Sequence, residues 1–287
     1  MPKILVIGAD GQLGTDLART IPGSELIPLT IKDLNITKRE NTILAIKGFK
    51  PDIVINTAGY SRVDEAEDHQ ELAFAINAEG AENVALACLE AGAGLVHIST
   101  DYVFDGRKNS PYTEDDPTTP LSAYARSKVS GEEKIAAILK KHFIIRSSGL
   151  FGVAGCLGKG GGNFIDSVIA KGKSGVPFKV VNDQYFSPTY TLDLARKLNQ
   201  LIRTDHYGLY HIVNHGACSW YELAAKAFEL LGLAVNFTEL PFAELKAKAL
   251  RPAYSVLDNK RLREAGQDDL RPWPDALRAY LTEKGLR

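Results

Sequence analysis

Short apolar runs recur along the chain at 3–7, 25–30, 52–56, 94–99 and 142–146, each too brief for a helix. Between them, stretches near 12–20, 38–47, 64–91 and 122–140 carry Ala, Leu, Glu and Lys in a helical pattern. Strand–helix alternation of this kind predicts an α/β fold built on a parallel, doubly wound sheet. After Arg146 the rhythm loosens. Residues 152–162 hold six glycines, too flexible for a helix or strand, which predicts a loop able to close over a ligand. The pattern then predicts a helix from Asn163 to Lys171, a strand at Phe178–Val181, a helix at 191–203, a strand at 208–213 and a helix at 220–231. Prolines break the segments 251–257 and 271–274 into extended loops.

Charge narrows the classes of function. The chain has 287 residues with 34 basic against 35 acidic side chains, so no global field draws it to nucleic acid or to an anionic membrane. The first apolar run spans only Ile4 to Ile7, and no later run approaches the length of a membrane span; the expectation is a soluble, cytoplasmic protein. Cys88, Cys156 and Cys218 are scattered, without the pairing expected of a disulfide framework or a zinc site. His211 and His215 have helical metal-pair spacing but fall on a strand and turn, so no metal site is expected, and His97 reads as a packed histidine. Lys159 is followed by glycine and not by Ser or Thr, which removes the P-loop reading.

Candidate chemistry lies at the strand ends. Gly8, Gly11 and Gly14 follow the first strand and open a helix, in the spacing G-x-x-G-x-x-G. Such glycines permit a tight turn, a close approach to pyrophosphate and close packing of helix on sheet, with the helix N-terminus facing the anion. Ser99-Thr100 ends the fourth strand. Tyr124 and Lys128, four residues apart in a predicted helix, share one face, where the ammonium should stabilise phenolate and lower the tyrosine's pKa. The combination predicts a hydride-transfer site with Tyr124 as general acid. No carboxylate ends the second strand at Thr30, which predicts acceptance of NADPH, with Lys32 and Arg39 as candidate phosphate partners.

The motifs Gly8-x-x-Gly11-Gln-Leu-Gly14, Ser99-Thr-Asp-Tyr-Val-Phe-Asp-Gly106, Tyr124-x-x-x-Lys128, Asn182-Asp-Gln184, Ser187-Pro-Thr189, Gly208-Leu-Tyr-His211 and Arg251-Pro-x-x-Ser255 together resemble the dTDP-4-dehydrorhamnose reductase family of extended short-chain dehydrogenases/reductases. The resemblance runs from end to end. It implies a Rossmann-like doubly wound parallel sheet with a smaller C-terminal substrate-binding cap, residues 1–151 and 182–214 binding the dinucleotide and 152–181 with 215–287 forming the cap. It implies NAD(P)H-dependent reduction of the 4-keto group of dTDP-4-dehydro-β-L-rhamnose to dTDP-L-rhamnose, a nucleotide sugar used in polysaccharide biosynthesis, with NADPH as cofactor and NADH also open. By the same resemblance Thr100 bonds the substrate carbonyl, Tyr124 protonates the new alkoxide, and Lys128 holds the nicotinamide ribose. Gly8, Gly11, Gln12, Leu13, Gly14, Thr30, Asn35, Ile36, Ala58, Gly59, Tyr60 and Ser61 fall at cofactor positions, and Asp101, Gly149, Asn163, Phe186 and Arg251 at substrate positions. Two residues depart from the family pattern: Gly149 stands where a tryptophan usually packs on the sugar, and Phe186 where glycine is usual, so its ring is placed to refill that pocket. Another nucleotide-sugar 4-ketoreductase or epimerase would share the catalytic residues. A non-catalytic regulatory subunit, resembling that of methionine adenosyltransferase, would share only the fold. Bound magnesium and a homodimer are left open.

Overall fold

The structure, a computed structural model, describes residues 2–156 and 160–287; Leu157 to Lys159 of the glycine-rich loop, Lys159 of the P-loop argument included, lie outside the described residues. The chain opens with β1 (Ile4–Ile7), α1 (Gln12–Thr20), β2 (Leu26–Leu29), α2 (Arg39–Phe49) and β3 (Ile53–Asn56). It continues through α3 (Glu65–Asp68), α4 (Gln70–Phe74), a π-helical turn (Ala75–Glu79), α5 (Gly80–Ala91), β4 (Gly94–Thr100), α6 (Ala123–Ile138) and β5 (His142–Ser147). Then come β6 (Leu150–Phe151), α7 (Phe164–Lys173), β7 (Phe178–Val181), β8 (Tyr185–Phe186), β9 (Thr189–Tyr190), α8 (Thr191–Leu201), β10 (Gly208–His211), β11 (Cys218–Ser219), α9 (Trp220–Leu231), β12 (Phe237–Leu240), α10 (Lys260–Glu264) and α11 (Trp273–Glu283).

Six strands form one sheet in the order β10-β5-β4-β3-β1-β2, every pairing parallel. Helices cover both faces, as the continuous burial of β1, β3 and β4 requires. Alternate residues divide the core: Ile4, Val6, Ile53 and Ile55 pack on α1 and α8, while Leu5, Ile7, Val54 and Leu95 pack on α2, α5 and α6. The order of strands reverses between β1 and β3, which opens a crevice at their carboxyl ends. β7 pairs with β12, and β8 with β11, in small sheets outside the main one. Phe178, Val181, Phe186 and Leu240 of these pieces line the same cavity as Gly8 and Thr100 at the strand ends.

The helix expected over 64–91 is divided. By composition Gln70–Ala91 is long and apolar enough to cross a membrane, yet its apolar positions Ala81, Val84, Ala85 and Cys88 pack into the core beside the sheet. Its middle is the π turn, which turns Asn77 toward the loop after β3: its Oδ1 accepts from Tyr60 N at 2.8 Å, and its Nδ2 donates to the Tyr60 carbonyl and to Ser127 Oγ. A π turn inserts one residue into the ladder, and here the cost is offset by fixing Tyr60 against α6.

Candidate active site

The glycine turn fits a dinucleotide by shape. Gly8 has φ +80°, and a Cβ on Gly14 would stand 2.2 Å from the Gly8 carbonyl oxygen, so any side chain at 14 would lift α1 off the turn. No side chain caps the N-terminus of α1, which leaves its first N–H groups facing the crevice. Those donors and the bare Gly8–Gly11 backbone suit a pyrophosphate. A cavity of about 1080 Å³ begins there and is walled by Gly8, Gly11, Gln12, Leu13, Asn35, Ile36, Ala58, Gly59, Tyr60 and Ser61 of the expected cofactor set. Gln12 also braces the wall, because its Oε1 accepts from Gly152 N at 3.0 Å and ties the glycine-rich loop to the turn.

Two members of that set lie elsewhere. Gly14 serves packing and is not part of the wall. Thr30 is also outside that wall: its N–H and hydroxyl both donate to Asp33 Oδ2 at 2.8 Å. These bonds hold the Asp33 carboxyl below its usual range, backbone donation from Thr30 being the largest cause. A carboxylate therefore folds back onto the end of β2 although none occupies the strand end in sequence.

Thr100, Tyr124 and Lys128 meet in the cavity where β4 ends beside α6. Ser122 caps that helix by accepting from Ala125 N, which fixes where Tyr124 enters. The Tyr124 ring packs edge-on to Tyr102 with centroids 6.2 Å apart, and its hydroxyl is bonded to Thr100. Thr100 in turn donates to Asp101 Oδ1 at 3.1 Å, and Asp101 Oδ2 accepts from Ser148 at 2.7 Å and Ser255 at 2.5 Å. Asp101, given a sugar-positioning role by the resemblance, is here a buried acceptor that orients the Thr100 hydroxyl. Burial raises its pKa against those three hydrogen bonds.

The expected lowering of the tyrosine pKa is reversed. Burial pushes the Tyr124 phenol up to about 12, the Thr100 bond opposing and Asp101 adding to the rise. Lys128 does not act on the phenol because its ammonium is turned away: Nζ donates to the Ile98 carbonyl at 2.5 Å and stands 3.3 Å from His97 Nε2. Burial brings Lys128 down to about 8, against the pull of Glu132. Glu132 is itself gripped by Arg146 at 2.6 Å and by the Ser99 hydroxyl, a buried pair that braces β4, β5 and α6 beneath the site.

The far end of the cavity carries the substrate candidates. Gly149 has φ +53°, and a Cβ there would fall 2.3 Å from the Phe186 ring. Phe186 is stacked on Trp220 at 4.0 Å, so the pair Gly149–Phe186 fits one shape in which the phenyl ring takes space a residue-149 side chain would need. Asn163 lines the wall, but its side chain is consumed structurally: Oδ1 caps α7 through Asp166 N, and Nδ2 donates to the Gly152 carbonyl and Tyr280. Arg251 reaches the wall while paired with Asp64 at 2.7 and 3.0 Å, and Asp64 also accepts from Lys248 N and Ala249 N. This latch joins the loop before residue 252 to the acidic α3 region.

Sequence reasoning missed Asn56, Asn77, Ser148, Ser255 and Trp220, and gave His97 no functional part. Ser148 follows β5, and Ser255 belongs to the Arg-Pro-x-x-Ser element; both signals were present in motif and strand-end position but pointed to no role without the Asp101 contact. Asn77 had no signal, since its role depends on the π turn.

A family model described as the RmlD substrate binding domain matches residues 2–285. The chain is 42% identical over 288 residues to the spore coat polysaccharide biosynthesis protein SpsK of Bacillus subtilis, covering 99% of this chain and 98% of that one. It is 35% identical over 277 residues to dTDP-4-keto-6-deoxy-D-glucose reductase of Streptomyces niveus, covering 95% and 94%. Its fold superposes on the crystal structure of dTDP-4-dehydrorhamnose reductase from Bacillus anthracis in complex with NADP with a TM-score of 0.94 at 38% identity, covering 98% and 99% of the two chains. The glycine turn, the Thr100–Tyr124–Lys128 cluster and these end-to-end likenesses agree, and the chain belongs to the RmlD substrate-binding domain family.

Proposed function

We propose that this protein is an NAD(P)H-dependent oxidoreductase that reduces the 4-keto group of dTDP-4-dehydro-β-L-rhamnose to give dTDP-L-rhamnose. The observation that carries the reading is the convergence of Thr100, Tyr124 and Lys128 on one cavity that also begins at the glycine turn. The B. anthracis relative's complex with NADP supports NADPH as cofactor. Residues 1–151 and 182–214 hold the dinucleotide, consistent with β10 joining the main sheet, and 152–181 with 215–287 hold the sugar, consistent with β7–β12 and β8–β11 standing apart from it. A cytoplasmic location is part of the proposal, in keeping with three free cysteines.

The Gly8–Gly11 backbone and the start of α1 bind the pyrophosphate, and Gly59, Tyr60 and Ser61 form the floor beside Lys128. When bound, the nicotinamide supplies a hydride to the carbonyl carbon. Thr100 is placed to donate its hydroxyl to the carbonyl oxygen once that proton turns from Asp101, to which it points in the free protein. Tyr124 then transfers its phenolic proton to the oxygen as it becomes alkoxide, leaving phenolate. A phenol held near 12 is fully protonated at neutral pH, so the acid is loaded before the substrate arrives. Lys128, whose Nζ is turned from the phenol toward the Ile98 carbonyl, orients the ribose.

The Gly149–Phe186 pair favours one second reading, reduction of a different dTDP-4-keto-sugar, and the name of the S. niveus relative supports that class. A panel of dTDP-4-keto-sugars assayed with NADPH, with product configuration read by NMR, separates the two. Turnover of dTDP-4-dehydrorhamnose to the L-rhamno product is expected; its absence alongside rapid reduction of another keto-sugar would replace the first reading with the second.

A further inference from the structure

Asn56, His97 and Lys128 form a buried line beneath the cavity floor, all three at most 5% exposed. Their donors and acceptors can be assigned from one end. Asn56 Oδ1 accepts from Ala58 N at 3.1 Å, so Nδ2 is the atom that faces His97 Nδ1, at 3.3 Å. An amide nitrogen only donates, which requires Nδ1 to be the bare, accepting nitrogen and puts the imidazole proton on Nε2. That N–H points at Lys128 Nζ, 3.3 Å away. An ammonium has no lone pair to accept it. The other tautomer would set Nδ1–H against the Asn56 amide, and turning the amide would forfeit the Ala58 bond.

The line therefore has one proton too many whenever Lys128 is charged. A neutral amine relieves the conflict by accepting from Nε2–H while still donating to the Ile98 carbonyl. The charged form keeps that conflict, and it is offset when Nζ finds acceptors on the cavity side, beside Gly59, where an added Cβ would stand 4.0 Å from Nζ. The groups acting on Lys128 from elsewhere do not remove the conflict. Glu132, one turn along α6, favours the ammonium but is already engaged by Arg146 and Ser99; Tyr124 on the same helix is a neutral phenol, and β4 offers only His97 and the Ile98 carbonyl.

We propose that Asn56 and His97 are positioning residues that lock one imidazole tautomer against the Lys128 amine, so that the Lys128 ammonium is favoured when ligand hydroxyls on the cavity side accept its N–H groups. The inference rests on the assignment of Lys128 to the cofactor ribose. It makes cofactor binding raise the pH at which Lys128 loses its proton, and it gives His97 a fixed neutral role, its Nδ1 accepting from the Asn56 amide and its Nε2–H held against Lys128. The low pKa of His97, caused by burial and then by Lys128, agrees with that neutrality.

Nuclear magnetic resonance on the full chain tests it without relying on turnover. Nitrogen-15 shifts of His97 should report a bare Nδ1 and a protonated Nε2 from pH 6 to 9. The Lys128 side-chain resonances should titrate near 8 in the free protein and about one pH unit higher with saturating NADPH. In Asn56→Asp a carboxylate accepts from Nδ1–H, the tautomer inverts, Nε2 becomes an acceptor, and the free-protein titration of Lys128 should rise by a similar amount. His97→Gln, whose amide oxygen can face Nζ, should move it the same way, with the thermal midpoint confirming that each variant folds. A protonated Nδ1 in the wild type overturns the proposal, as does a Lys128 titration unmoved in the folded variants. Should Asn56→Asp fail to fold, the wild-type shifts and His97→Gln still decide. Failure to bind NADPH at all would instead remove the cofactor assignment, leaving the tautomer result standing.

Discussion

Lys128→Met separates what Lys128 does for the fold from what it does for the chemistry. Lys128 is 5% exposed, and burial moves its titration from the ordinary 10.5 to about 8. At about 1.4 kcal/mol per pH unit, that depression is a penalty of about 3 kcal/mol on the folded state at neutral pH. Between the two values the unfolded chain binds more protons than the folded one, so the wild type gains stability as pH rises from about 8 and the penalty is gone above 10.5. Methionine carries no charge and no such dependence. It does leave the Ile98 carbonyl without the donor now at 2.5 Å, a loss of about 1–2 kcal/mol at every pH. The variant should thus be more stable than wild type by about 1–2 kcal/mol at pH 7 and less stable by about as much near pH 10.5. Its NADPH binding and turnover should both be lost. Urea denaturation of both proteins at intervals from pH 7 to 10.5 measures the crossing. A stability difference that stays constant across that range would refute the claim that the buried Lys128 charge destabilises the fold.

The other perturbations probe the remaining walls. Tyr124→Phe removes one hydroxyl and keeps the ring contact with Tyr102, so folding and NADPH binding should persist while turnover falls about 10²–10⁴-fold; near-normal steady-state rates would sink its role as acid. Wild-type NADPH affinity, because binding favours protonated Lys128, should fall as pH rises through about 8, and isothermal titration over pH 6.5–9.5 reads it. Gly149→Trp forces a Cβ to within 2.3 Å of Phe186 at φ +53° and should lower stability to denaturant by about 1–3 kcal/mol or more; adding Phe186→Gly should recover part of that and restore sugar KM, a coupling that a double-mutant cycle reports directly. Asp33→Ala removes the carboxylate that Thr30 holds at the end of β2 and should tighten NADPH severalfold relative to NADH, with unchanged ratios counting against a carboxylate near the adenosine ribose.

The frame of the protein was legible in the one-dimensional pattern because local signals decided it. Five apolar runs became β1 to β5 within about a residue or two, since buried parallel strands need such runs and little else reads that way. The glycine turn and the Tyr124–Lys128 spacing were equally local, the first fixed by positive φ and close packing, the second by the helical repeat. What the sequence left open depended on how the folded backbone brings side chains together, most of them from far apart in the chain. Asp33 reaches Thr30 only through a folded loop; Asp101 gathers Ser148 and Ser255 from 47 and 154 residues away; Asn77 meets Tyr60 only because a π turn interrupts what reads as one helix. The direction of the Tyr124 and Lys128 pKa shifts was likewise a tertiary matter. Spacing puts the two side chains on one face, but burial and the choice of partner decide where each head group points, and the Ile98 carbonyl and His97 take the ammonium that sequence alone assigns to the phenol.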